Sequence, residues 1–245
     1  MIQTYVCVDL ETTGLNPKTD KIIEIGAVKV VEGEIVDRFS SFVNPGRKLE
    51  ERIVELTGIT DEDLADAPPI EEVLPQILEF AGHAILLGHS VLFDFSFLKK
   101  AAVNQKCTFE KEAIDTLKIS RKYLADLESR SLDYLCGHFA IPHNAHRALA
   151  DAEATHILYG KLLDRFYSAE EDLFRPHKLI YKAKKDSPAT NSQKERLYRL
   201  TSQHNITLGV DIEMLTKSEA SRIIDKLRVQ FSGANVFDPN KNIRL

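Results

Sequence analysis

Tyr5-Val6-Cys7-Val8 is a fully apolar run that leads directly into two acids, Asp9 and Glu11. Such a run suits a strand buried in the middle of a sheet. Thr12-Thr13-Gly14-Leu15-Asn16-Pro17 follows as a turn rich in Gly, Asn and Pro. Residues 22–31 read as a long strand, and Gly33 allows a turn into an alternating strand over 35–43, so the sheet starts antiparallel. Helical spacing then links Leu49, Ile53 and Leu56, and further on Ile70, Val73, Leu74, Ile77 and Leu78. Residues 84–88 form a second short apolar run, read as another buried strand, which passes through His89-Ser90 into a helix over 92–103. A strand or helix start is expected near 113–117. Ser131 is placed to cap a helix ending at Phe139, and a loop containing Pro142 and His143 precedes a long helix over 147–166. Residues 176–191 are basic and aperiodic and read as a linker. Two amphipathic helices are expected beyond it, the second opened by the capping box Thr216-Lys217-Ser218-Glu219.

The pattern gives an α/β domain over 1–175, a linker, and a small helical domain over 192–245 that would bind nucleic acid or protein. A length of 245 residues accommodates both. Charge divides along the same line. Residues 1–174 carry 18 basic and 30 acidic side chains, and residues 175–245 carry 14 and 7. An acidic body with a basic appendage fits an enzyme that holds cations and meets a polyanion. The N-terminus lacks the features of a signal peptide and no apolar run is long enough to span a bilayer, so a cytoplasmic location is expected. Cys7, Cys107 and Cys136 show neither disulfide nor zinc spacing and are read as small core residues.

Asp9 and Glu11 lie two residues apart on a strand and point to the same face. Two acids at the exit of a buried strand require neutralisation, which a hard cation such as Mg²⁺ or Mn²⁺ supplies through oxygen ligands. Two further acids occupy unusual positions. Asp94 stands among Phe93, Phe95 and Phe97 just after a buried strand, and Asp151 stands in the first turns of the long helix. Taken singly, the first reads as a helix cap and the second as a surface acid.

Together these stretches resemble the DEDD-type 3′→5′ exonucleases of the DnaQ-like group. Asp9-Leu10-Glu11-Thr12-Thr13-Gly14 matches the first motif, Asp94 with Phe93 and Phe97 the second, and His146 with Asp151 the third, in its histidine version. The likeness covers roughly residues 4–163 and is greatest to the exonucleases built into Gram-positive replicative polymerases and to the epsilon proofreading subunit. It implies a ribonuclease H-like mixed sheet with flanking helices. It also implies hydrolysis of phosphodiesters at the 3′ end of single-stranded or frayed DNA, with RNA as the alternative. A replication or repair protein, such as a DNA polymerase, would be a partner. Two divalent ions about 4 Å apart can serve both oxygens of an in-line displacement.

By resemblance, Asp9 bridges both ions, Glu11 and Asp151 complete one site, and Asp94 supports the other through water. His146 is then the general base, as an imidazole titrating near neutrality suits. His143, on the same loop, is its competitor. Thr12 and Thr13 would receive the terminal 3′ hydroxyl, Gly14 would allow close approach, and Leu15 would wedge between the last bases. Phe93 would stack on a base, with Phe97 equally readable as core, and His89 would approach a phosphate or simply end its strand. Thr57 stands where some relatives carry histidine.

Overall fold

The computed structural model describes residues 2–168 and 172–232. The end of the helical unit, residues 233–245, lies outside them. Three antiparallel strands open the chain: β1 (Tyr5–Thr12), β2 (Ile22–Val31) and β3 (Glu34–Phe42). Helices α1 (Glu51–Thr57), α2 (Asp61–Ala65) and α3 (Ile70–Ala81) follow, and β4 (Leu86–Gly88) then returns the chain to the sheet beside β1. Strand β4 is parallel to β1 because α3 carries the chain back to the starting edge. Next come α4 (Leu92–Asn104), β5 (Glu112–Asp115), α5 (Thr116–Tyr123), α6 (Leu132–Phe139) and α7 (Ala148–Phe166). A two-residue strand β6 (His177–Lys178) pairs with β5 and completes the order β3-β2-β1-β4-β5-β6.

Alternation along β1 divides the core in two. Val6, Val8 and Leu10 face Val73, Leu74, Phe95 and Leu98 of α3 and α4. Tyr5 and Cys7 face Leu135 of α6 and Leu158, Tyr159 and Leu162 of α7. Both faces of β1 are therefore covered, and the odd-numbered face carries Asp9 and Glu11 as it leaves the core.

The stretch read as a linker begins inside the sheet. His177 and Lys178 extend β5, and the Leu179 amide donates to the Lys111 carbonyl while its side chain joins the α3–α4 core. Farther on, the buried Lys100 ammonium donates to Asp186 at 2.6 Å and to the Lys184 carbonyl at 2.5 Å. Helices α8 (Asn191–His204) and α9 (Lys217–Ser232) then close a separate small core of Ala189, Leu197, Ile212, Leu215, Ala220, Ile224 and Leu227. Cys7 and Cys136 are buried as expected, whereas Cys107 is exposed. Cys107 falls in the turn after α4, where the chain leaves the helix at the surface, and it is not a core residue.

Candidate active site

Asp9 sits opposite Gly26 of β2, and Glu11 sits opposite Glu24. Their shared face meets the first turn of α7, which brings in Asp151. One carboxylate oxygen from each of Asp9, Glu11 and Asp151 falls within a group spanning 4.8 Å, a set able to hold a metal ion. Gly26 makes this approach possible. A Cβ at that position would lie 2.1 Å from both the Ala148 carbonyl carbon and the Leu149 amide nitrogen. The helix therefore rests directly on the strand backbone. Any side chain at 26 would lift Asp151 away from Asp9.

Asp94 arrives from the opposite face, on the first turn of α4. It is buried, and its Oδ1 accepts the Leu10 amide at 3.1 Å. Burial raises its pKa well above the usual carboxylate range. Asp9 is raised in the same direction, by desolvation first and then by the negative charges of Asp94, Asp151, Glu11 and Glu24. Glu11 is pushed up to about 8 by desolvation and by the charges of Asp151 and Glu24. Carboxylates gathered this closely disfavour one another's ionisation unless a cation intervenes. The donor set is all oxygen, which suits hard divalent ions.

The sequence reading missed Glu24. This acid is 2% exposed and is held by Arg147, whose Nη2 donates at 3.1 Å, and by the Ala148 amide at 3.0 Å. Glu24 thereby clamps the start of α7 beside β1. An acid within the otherwise apolar run Ile22-Ile23-Glu24-Ile25 was the available signal.

The two loop histidines are placed differently. His143 is turned inward, and its Nε2 lies 2.5 Å from Asp151 Oδ1, while the Arg147 amide donates to Asp151 Oδ2 at 2.9 Å. His146 is exposed at the end of the loop, with φ of 64° in the left-handed region. Non-glycine residues rarely adopt that conformation, and such strain concentrates at functional positions.

The remaining sequence candidates separate into two groups. Thr12, Thr13 and Gly14 form a tight turn beside the acids, and Leu15 projects from its tip 84% exposed. Phe93 is half-buried and packs on the buried Phe97 with ring centroids 5.0 Å apart. His89 and Thr57 are committed elsewhere. The His89 ring nitrogens lie 2.9 Å from Thr116 Oγ1 and 2.8 Å from the Arg130 carbonyl, and burial lowers its pKa. It bolts the end of β4 to α5 and offers no ring nitrogen to a phosphate. The Thr57 hydroxyl donates to the Ile53 carbonyl and accepts the Ile59 amide, closing the end of α1.

A mixed sheet with acids converging from β1, α4 and α7 defines a ribonuclease H-like nuclease. A family model described as Exonuclease (RNase T) matches residues 6–159, and the chain belongs to this family, whose members hydrolyse phosphodiester bonds. Among curated relatives, DNA polymerase III PolC-type of Caldanaerobacter subterraneus subsp. tengcongensis is 45% identical over 163 residues, which make up 66% of this chain and 12% of that protein. The Bacillus subtilis protein of the same name is 44% identical over 165 residues, covering 66% and 11% respectively. The chain thus spans only a small fraction of these polymerases. Exonuclease X in complex with 5′ overhanging duplex DNA superposes with a TM-score of 0.53 at 27% identity, over 68% of this chain and 95% of that one. Exonuclease I shares the fold, with a TM-score of 0.60 at 21% identity over 66% and 41%. No described helix is long and apolar enough to cross a membrane.

Proposed function

We propose that the chain is a two-metal-ion 3′→5′ exonuclease that releases nucleoside 5′-monophosphates from single-stranded or frayed DNA. The convergence of Asp9, Glu11 and Asp151 carries this reading, with Asp94 near enough for its charge to act on Asp9. Asp9, Glu11 and Asp151 would hold Mg²⁺ or Mn²⁺, and Asp94 would support the second ion. When bound, such ions neutralise the acids, lower the pKa of water and stabilise the leaving oxygen.

The chain's own residues supply the rest. His146, exposed on the loop just before α7, takes a proton from the attacking water. The bond between phosphorus and the 3′ oxygen of the penultimate nucleotide breaks, leaving a 5′-monophosphate and a new 3′ hydroxyl. The backbone of Thr12 and Thr13 receives the terminal 3′ hydroxyl, Leu15 wedges at the last base step and Phe93 stacks, while the bare Gly14 makes room for the Asp20 carboxylate that shapes the turn. Backbone capture and stacking tolerate any base, so little sequence preference is expected. His143 holds Asp151 in place rather than meeting the water.

The polymerase relatives favour DNA and a replication or repair setting, with a polymerase among the partners. Among the described residues, helices α8 and α9 pack around their own core of Ala189, Leu197, Ile212, Leu215, Ala220, Ile224 and Leu227. The test presents 5′-labelled DNA and RNA strands of one sequence, each with a 3′ hydroxyl or a 3′ phosphate, in Mg²⁺ or Mn²⁺. Faster shortening of the DNA strand, blocked by the 3′ phosphate, is expected. Faster shortening of RNA would make the enzyme an exoribonuclease. Binding of 3′ ends without cleavage in either metal would make it a recognition module.

A further inference from the structure

The capping box that opens α9 has a second use. Glu219 is 5% exposed, and its Oε2 accepts the Thr216 amide and hydroxyl at 2.9 and 2.8 Å. Its other oxygen reaches across to the exonuclease domain, where Lys21 Nζ lies at 3.1 Å and Arg47 Nη2 is also bonded. Burial alone would raise its pKa, but Lys21, the Thr216 amide and Arg47 outweigh burial and bring it down to about 2. Glu219 is therefore charged throughout the working range. One helical turn further, Arg222 donates from Nη1 to Thr19 Oγ1 at 2.6 Å and to Asp20 Oδ1.

Asp20 is the hub of the loop that follows the first acidic motif. It is 7% exposed, and its Oδ2 accepts the Asn16 amide at 2.9 Å. Gly14 lies so close that an added Cβ would stand 2.5 Å from that same oxygen. The Thr13 amide donates to the Lys21 carbonyl at 2.8 Å, and the Lys21 amide donates to Thr13 Oγ1 at 2.9 Å, closing the base of the loop. Among the described residues, Arg222 is the cation paired with Asp20. Removing it leaves a buried carboxylate unpaired at the centre of the turn.

Within the loop the ties fall on three consecutive residues, Thr19, Asp20 and Lys21, with Arg47 bonded alongside. The opposite tip presents Leu15 to solvent. A second anchor keeps the helical unit in reach, since Asp186 is held by Lys100 and by Asn104 Nδ2 at 2.8 Å. We propose that Arg222 and Glu219 of α9 are positioning residues that fix the 13–21 loop in the shape that receives the 3′ nucleotide. This rests on the exonuclease reading given above. The helical unit is then part of the substrate-binding apparatus of the nuclease, acting through the loop rather than by touching the strand. Ordering the loop in advance removes an entropic cost from substrate binding, so its loss is felt in KM more than in kcat.

The full chain is compared as wild type, Arg222→Ala, Arg222→Lys and Lys194→Ala. Lys194 pairs with Glu213 within the helical unit, away from the loop, and controls for simple loosening of that unit. Arg222→Ala is expected to raise KM for a single strand about tenfold with kcat changed less than about twofold. Arg222→Lys restores most of the affinity, and Lys194→Ala leaves KM unchanged. Amide hydrogen exchange in residues 13–21 is expected to accelerate about tenfold in Arg222→Ala alone. Exchange is read without substrate, and strand binding is read by anisotropy in EDTA, so an inactive wild type would refute the exonuclease reading without obscuring this one. Unchanged loop exchange in Arg222→Ala would overturn the proposal, as would an equal rise in KM in Lys194→Ala.

Discussion

Replacing Glu11 by glutamine tests whether the acids are assembled against their own repulsion. In the folded chain the Glu11 carboxyl holds its proton up to about pH 8, against 4.5 ordinarily. The folded state thus binds that proton more tightly than the unfolded chain. The charge costs nothing below about pH 4.5, costs progressively more between there and pH 8, and costs most above it. At ~1.4 kcal/mol per pH unit the rise sets a ceiling of ~5 kcal/mol, and half-burial with solvent screening brings the expected value to ~1–3 kcal/mol. Glu11→Gln is therefore expected to stabilise the metal-free protein by ~1–3 kcal/mol at pH 8.5 and by almost nothing at pH 4.5. Saturating Mg²⁺ shrinks the variant's advantage at pH 8.5, because wild type gains ~2.7 kcal/mol at a hundredfold excess over Kd and the variant gains less. The assay is urea unfolding at the two pH values, in EDTA and in Mg²⁺. Equal stabilisation at both pH values, or none at pH 8.5 in EDTA, would refute the electrostatic reasoning.

Other outcomes follow from the same geometry. His146→Ala is expected to lower kcat by about 10²–10⁴-fold with KM little changed, measured by single-strand degradation. His143→Ala is expected to retain stepwise cleavage but to need more metal, because Asp151 loses the partner at 2.5 Å. Gly26→Ala places a methyl 2.1 Å from the backbone at the start of α7. It is expected to cost ~3 kcal/mol or more in urea unfolding and to abolish cleavage, whereas a substitution at open Gly160 should do neither.

Strand β1 and its acids were legible because burial on both faces leaves an unbroken apolar run, and a charge at its end stands out against that run. The long helix α7 was equally plain, and its start was placed to within one residue. What escaped depends on contacts between distant segments. Glu24 reads as one acid in a strand until Arg147 and Ala148, over a hundred residues later, are folded onto it. Gly26 reads as a weak point in a strand until α7 rests on it. Strand β6 has two residues, too few to show any alternation, and it sits in a stretch whose basic composition suggests a linker. His89 and His143 were both candidates by type, and only their partners separate a structural bolt from a residue that touches an acid of the site. The ties of Glu219 and Arg222 to the 13–21 loop cross some 200 positions and leave no periodicity to read.

On the proposed function, the grouping of Asp9, Glu11, Asp94 and Asp151 is one metal-dependent centre acting at 3′ ends. That reading is tested most directly by following a 5′-labelled single strand of DNA with wild type and Asp9→Asn, in Mg²⁺ and in EDTA. A ladder shortening one nucleotide at a time from the 3′ end is expected for wild type in Mg²⁺ alone, with 5′-monophosphates as the released product. Cleavage that persists in EDTA or in Asp9→Asn, or that releases the 5′ label first, would contradict it.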